Sequence, residues 1–179
     1  KHTLNLEWFT PTFWKFVLMN SMKIGAIKEL PSNNSNPSYI PYNDRFIMGG
    51  NGIPYGNVLR GYDDNRVGPL TSTGNPIGGN TLVKFSTEFR VPFAENPVVY
   101  GMVFAEMGNV WSSTDLMERL NLPRSGPLDL KRSIGVGIRF FMPMIGMLGF
   151  DLGRGFDRVD INGKLKPEWK TTLTFGQQF

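Results

Sequence analysis

The residues best equipped for chemistry are a loop arginine and two carboxylates that follow it on strand-like segments. The stretch Val58 to Pro69 reads VLRGYDDNRVGP and carries Arg60, Tyr62, Asp63, Asp64 and Arg66 in a glycine- and proline-rich region. Taken alone it allows three readings: a solvated loop, an Asx-type turn, or a weak cation site on Asp63, Asp64 and Asn65. The acidic triplet lacks a full calcium-ligand pattern, so it is read as a loop feature. Glu88 and Glu106 lie downstream, and Glu106 is the only charge between Val98 and Trp111. Two such carboxylates suit acid–base catalysis or an ion cluster. An arginine suits the second role, because its planar fork can donate to two carboxylates at once.

Other chemistries lack material. His2 is the only histidine and there is no cysteine, so histidine-based triads, thiolate metals and disulfides are not expected. No Gly-x-Ser-x-Gly, Walker or dinucleotide fingerprint is present, and the GGNG and GGN segments lack a strand-to-helix context. The net charge of +4 is spread along the chain without a Lys/Arg block, which argues against a nucleic-acid partner. The chain therefore reads as a non-enzyme without metal or cofactor.

The elements that position these residues read with period 2. In TLVKFSTEFRV, Val83, Phe85, Thr87, Phe89 and Val91 alternate with Leu82, Lys84, Ser86, Glu88 and Arg90. Leu4, Leu6 and Trp8 alternate with Thr3, Asn5 and Glu7. Ile134, Val136, Ile138 and Phe140 alternate with Ser133, Gly135, Gly137 and Arg139. Leu148, Phe150 and Leu152 stand opposite Asp151, and Trp169, Thr171, Leu173, Phe175, Gln177 and Phe179 stand opposite Lys170, Thr172, Thr174, Gly176 and Gln178. Lys15 to Lys28 and Val98 to Trp111 complete about seven strands of about ten residues, the length of a tilted bilayer-crossing strand.

Short connections (Thr10–Phe13, Phe93–Pro97, Pro143–Gly146) alternate with long ones (Glu29–Gly79, Ser112–Lys131, Phe156–Glu168). That is the pattern of an outer-membrane barrel. A soluble β-sandwich also alternates. The charged faces suit a wet lumen, however, and Trp8, Phe9, Phe13, Trp14, Trp111 and Trp169 near strand ends suit interfacial girdles. The longest uncharged apolar run, Phe140 to Phe150, is broken by Pro143 and two glycines, which excludes a spanning helix. An odd strand count would leave an open edge in lipid, so this chain is expected to be the C-terminal portion of a longer barrel. The start at Lys1 fits a processed product or a fragment.

Leu59-Arg60-Gly61-Tyr62, with Gly49-Gly50 upstream and Val67-Gly68-Pro69 downstream, resembles the lid-loop motif of the BamA-type outer-membrane assembly barrels, the bacterial surface antigen family. FSTEFRVPF, VFAEMGNVW, RSIGVGIRFFMPMIGMLGFDLG and the terminal FGQQF are similar to that family's later strands in the same order. The resemblance spans nearly the whole chain. The sequence departs from it in Glu106, where Asp is more usual, in Leu59, where Val is common, and in the insertion-like Pro31 to Arg45.

The resemblance implies an all-β, antiparallel transmembrane barrel of 16 strands, with POTRA domains upstream of this chain. It implies that residues 29–79 form a lid-type loop folded into the lumen, with Arg60 held by Glu88 and Glu106. Gly61 would permit the close turn and Tyr62 would pack the loop on the wall. Breaking such a pair costs about 3–5 kcal/mol when buried, and less is expected in a wet lumen.

The function implied is insertion of other barrel proteins by strand augmentation at a weak seam between the first and last strands. Phe175, Gly176 and Phe179 would form the assembly signal and one side of that seam. The implied partners are unfolded barrel clients, accessory assembly lipoproteins and outer-membrane lipid. The alternatives are a two-partner-secretion export pore, or a passive plugged barrel or receptor. Pro31–Arg45 and Leu116–Leu130 are candidate contacts for surface partners, by length.

Overall fold

The computed structural model describes residues 1–28, 40–52, 56–122, 125–126, 128–144, 146–159 and 164–175. Seven strands form one sheet in sequential order: β1 (His2–Pro11), β2 (Val17–Ala26), β3 (Thr81–Glu95), β4 (Val98–Trp111), β5 (Lys131–Met142), β6 (Gly146–Gly155) and β7 (Trp169–Phe175). Every neighbouring pair is antiparallel. The meander follows from the connections, since tight turns join β1–β2, β3–β4 and β5–β6 at one end of the sheet and antiparallel strands need no crossover. Pro92, which cannot donate to a ladder, sits where the β3–β4 register slips between Pro92 and Ala94.

The period-2 pattern sorts side chains by face, and it does so in the reverse sense of a water-soluble sheet. Leu4, Leu6, Trp8, Val103, Ile134, Val136, Phe150 and Phe175 are exposed, whereas Ser86, Glu88, Glu106, Ser133, Asp151, Thr172 and Thr174 are buried. A strand with greasy residues outside and charged ones inside suits hydrocarbon on its outer surface. Among the described residues no helix is long and apolar enough to cross a membrane; the strands are the spanning elements. A short helix, α1 (Thr114–Arg119), lies in the β4–β5 connection, where the alternation pattern gave no sign of it. Six residues are too few for a readable 3.6 period.

The hydrophobic core lies between the sheet's polar face and the β2–β3 connection. That connection folds back as a return loop, held by bridges Phe46–Gly79, Met48–Val67 and Gly50–Leu59. Phe46, Met48, Leu59, Tyr62 and Val67 of the loop pack with Leu82 of β3 and Val110 of β4. Each buried side chain of this size contributes about 1.5–3 kcal/mol. Leu82 and Val110 share the face of Glu88 and Glu106, so the wall is greasy where the loop docks and charged beside it.

Candidate functional site

Arg60 sits where the return loop meets β3, β4 and β6. Its Nη2 donates to Glu88 Oε1 at 2.7 Å and to Glu106 Oε1 at 2.9 Å. Its backbone N–H donates to the other oxygen, Glu106 Oε2, at 2.8 Å. Nη1 faces Asp151 Oδ1 at 3.6 Å and Met102 Sδ at 3.7 Å, and the guanidinium lies 3.7 Å from the centroid of Phe104. A single guanidinium nitrogen therefore serves Glu88 and Glu106 together, where a two-armed fork was expected. The other arm is spent on Asp151.

The strands explain the convergence. Ser86 and Glu106 are paired across β3–β4, and Glu88 is paired with Phe104, so residues two apart on each strand share one face. Gly137 of β5 is paired with Asp151 of β6; with no side chain at Gly137, Asp151 and Arg139 can close on each other. Arg139 holds both Asp151 oxygens at 2.8 and 2.7 Å, Arg90 holds Glu88 Oε2 at 2.7 Å, and Lys84 reaches Glu106 at 3.1 Å. Cations and carboxylates thus alternate in one connected cluster: Arg90, Glu88, Arg60, Glu106 and Lys84, with Asp151 and Arg139 branching from Arg60.

Arg60 is 3% exposed and Glu106 is 4% exposed, so the centre of the cluster is shielded by its own neighbours. Removing one partner from a pair this buried leaves the other charge uncompensated, at about 3–5 kcal/mol. A cavity of about 710 Å³ borders the cluster, with Glu7, Lys23, Tyr100 and Arg139 among its walls.

The neighbours of Arg60 anchor the loop. Leu59 is fully buried in the core. Gly61 has φ +86° and crosses β6 so closely that a Cβ there would lie 2.8 Å from the Gly155 nitrogen. Gly153 offers the same close approach from the strand side, since a Cβ there would lie 2.9 Å from the Gly61 nitrogen. Only paired glycines permit backbone contact of this kind. Tyr62 donates its hydroxyl hydrogen to the Arg132 carbonyl at 2.7 Å, and burial pushes the phenol's pKa up.

Beyond the motif, Asp63 is paired with Arg158 at 2.8 Å and Lys170 at 2.9 Å. Burial acts to raise its carboxyl, but hydrogen bonds from Lys170 and Arg158 outweigh this and hold it below the ordinary range. Asp64 accepts the Asn51 N–H at 2.6 Å. The acidic triplet is thus spent on loop architecture.

Sequence reasoning missed Asp151, Phe104 and Met102 as Arg60 neighbours, and Gly153 as its crossing point. For Asp151 the signal was present: it is the only acid of its strand, on a face otherwise made of Met147 and glycines. Phe175 is exposed at the end of β7. Gly176 and Phe179 lie outside the described residues, as do 29–39 of the long connection and parts of 116–130.

A meander with an apolar outer face, a charged inner face and a loop returned onto it defines a segment of an outer-membrane β-barrel. The chain belongs to the Omp85 superfamily, whose domain model matches residues 1–179. No curated protein matches the sequence. Among solved structures it is similar to BamA from Haemophilus ducreyi lacking POTRA domains 1–3, with a TM-score of 0.68 and 19% identity. That match covers 96% of this chain and 34% of that one, so the chain spans about a third of the related structure's length. The fold is that of the C-terminal part of a BamA-type barrel. The protein is integral to the bacterial outer membrane and is grouped with non-enzymatic membrane proteins.

Proposed function

We propose that the whole protein folds and inserts other β-barrel proteins into the outer membrane, with residues 29–79 acting as a lid in the lumen of a 16-stranded barrel. The observation that carries this reading is the attachment of the loop to the wall through Arg60, a buried ionic contact on three strands at once. A merely solvated loop has no need of it. In this reading the last strand is the working edge. Among the described residues β7 has β6 as its single neighbour in the sheet, and its other edge is where a client strand would add. Phe175, with Gly176 and Phe179 following it, would be the client-facing end. Upstream POTRA domains and accessory lipoproteins would deliver the clients.

The second reading is an export pore of the same superfamily, supported by the sizeable polar cavity beside Arg60. Depleting the full-length protein in its host separates the two. A fall in several unrelated barrel proteins, with clients accumulating unfolded in the periplasm, is the expected result. Loss of one secreted substrate alone would favour the pore. No change in either would leave a passive plugged barrel.

A further inference from the structure

We infer that the outer surface of β5–β7 carries a binding site for a phosphate-bearing lipid headgroup, centred on Arg154. The alternation of β6 puts Asp151, Gly153 and Gly155 on the inner face, buried, and Phe150, Leu152 and Arg154 on the outer one. Arg154 is the Cα partner of Ile134 on one side and Trp169 on the other, both exposed. One row toward the sheet's middle stand Val136, Leu152 and Thr171, without a charge. One row outward stand Arg132 and Phe156, joined by a 2.9 Å backbone hydrogen bond. Arg154 therefore lies at the first charged row beyond the hydrocarbon band, beside an aromatic of the kind that seats at the headgroup level. Long connections mark this end of the sheet as the outer one.

No carboxylate among the described residues is paired with Arg154. Its Nε is buried and finds no acceptor among the described residues. Among the described residues, Asp151 faces the other side of the strand, Asp157 is engaged by Arg132 at 2.9 Å, and Glu168 by Arg158 and Lys166 at 2.7 and 2.8 Å; Asp160 lies outside the described residues. Arg132 is diagonal to Arg154 on the same face, about 7–8 Å away by sheet geometry, a span that one phosphate group can bridge. Asp157 neutralises much of Arg132, so Arg154 supplies the attraction and Arg132 a second donor. A guanidinium matches the bidentate geometry of a phosphate. Its placement on the membrane-facing side selects a lipid headgroup over a soluble anion.

The test uses the full-length protein in detergent and two probes, bis-phosphorylated lipid A and its dephosphorylated form, with affinity read by native mass spectrometry. The wild-type protein is expected to favour the phosphorylated probe. R154Q should weaken that probe about fivefold, the loss expected for one basic residue at a membrane surface, and leave the other unchanged. K15Q, at the opposite end of the sheet, should have no effect, and R154K should retain most of the binding. Equal wild-type affinity for the two probes overturns the proposal, and so does R154Q with native heat-modifiable mobility and undiminished binding. Displacement by inorganic phosphate as effective as by lipid would assign the site to a free anion instead and overturn it too.

Discussion

The carboxylate of Asp63 in the return loop receives Lys170 Nζ at 2.9 Å, and Lys170 is the second residue of β7, the last strand. Arg158 closes the same contact from the β6–β7 connection at 2.8 Å, and itself holds Glu168 at 2.7 Å. The loop that carries Arg60 is therefore tied at two places, to the inner wall and to the entrance of β7.

The Asp63 tie should respond to acid. Its carboxyl titrates below the ordinary value of 3.8, so the stabilisation is fully present above that value. It disappears as pH falls through the lower folded-state value. Hydrogen exchange of the loop in the full-length protein should stay constant from neutral pH down to about 5 after correction for intrinsic rates. D63N should raise exchange in the loop and at the start of β7 at neutral pH. Unchanged exchange at both places would show that the pair does not hold them.

Arg60 should resist conservative replacement. R60A leaves three carboxylates facing one another beside Phe104, and a loss of about 3–5 kcal/mol is expected. R60K keeps the charge but cannot reach Glu88, Glu106 and Asp151 together or stack its plane on Phe104, so a smaller loss of about 1–3 kcal/mol is expected. Denaturant unfolding of the full-length barrel measures both. A lysine variant as stable as the parent would reduce the contact to simple charge pairing.

Gly153 should tolerate no side chain. A Cβ there would meet the Gly61 nitrogen at 2.9 Å, and neither backbone can withdraw without opening the crossing. G153A should make the loop accessible to trypsin at Arg60 and Arg66 while β6 retains its pairing. If G153A protects the loop as well as the parent, the crossing is looser than the geometry implies.

Tyr62 divides its contribution between ring and hydroxyl. Y62F removes the bond to the Arg132 carbonyl and should cost about 0.5–1.5 kcal/mol, whereas Y62A also empties a core position and should cost about 3–5 kcal/mol. Equal losses would mean that the ring contributes nothing to docking.

The strands, their faces and the turn lengths were legible in the sequence because a strand's side-chain period is 2 and each face meets a different medium. Glu88 and Glu106 stood out for the same reason, as charges on strands whose other side is greasy. Asp151 obeyed the same rule but could not be joined to Arg60 by pattern alone. Which residues of β3, β4 and β6 stand level with one another depends on register summed across the sheet and on where the return loop crosses it. The helix α1 was too short to leave a period.

The Asp63–Lys170 tie was beyond sequence reasoning as well, since 107 positions separate the partners and only the antiparallel order of all seven strands brings them together. Local alternation determined what each strand presents to lipid and to lumen. Tertiary structure alone decided which charges meet, because ion pairs and backbone crossings depend on positions in space that no local period encodes.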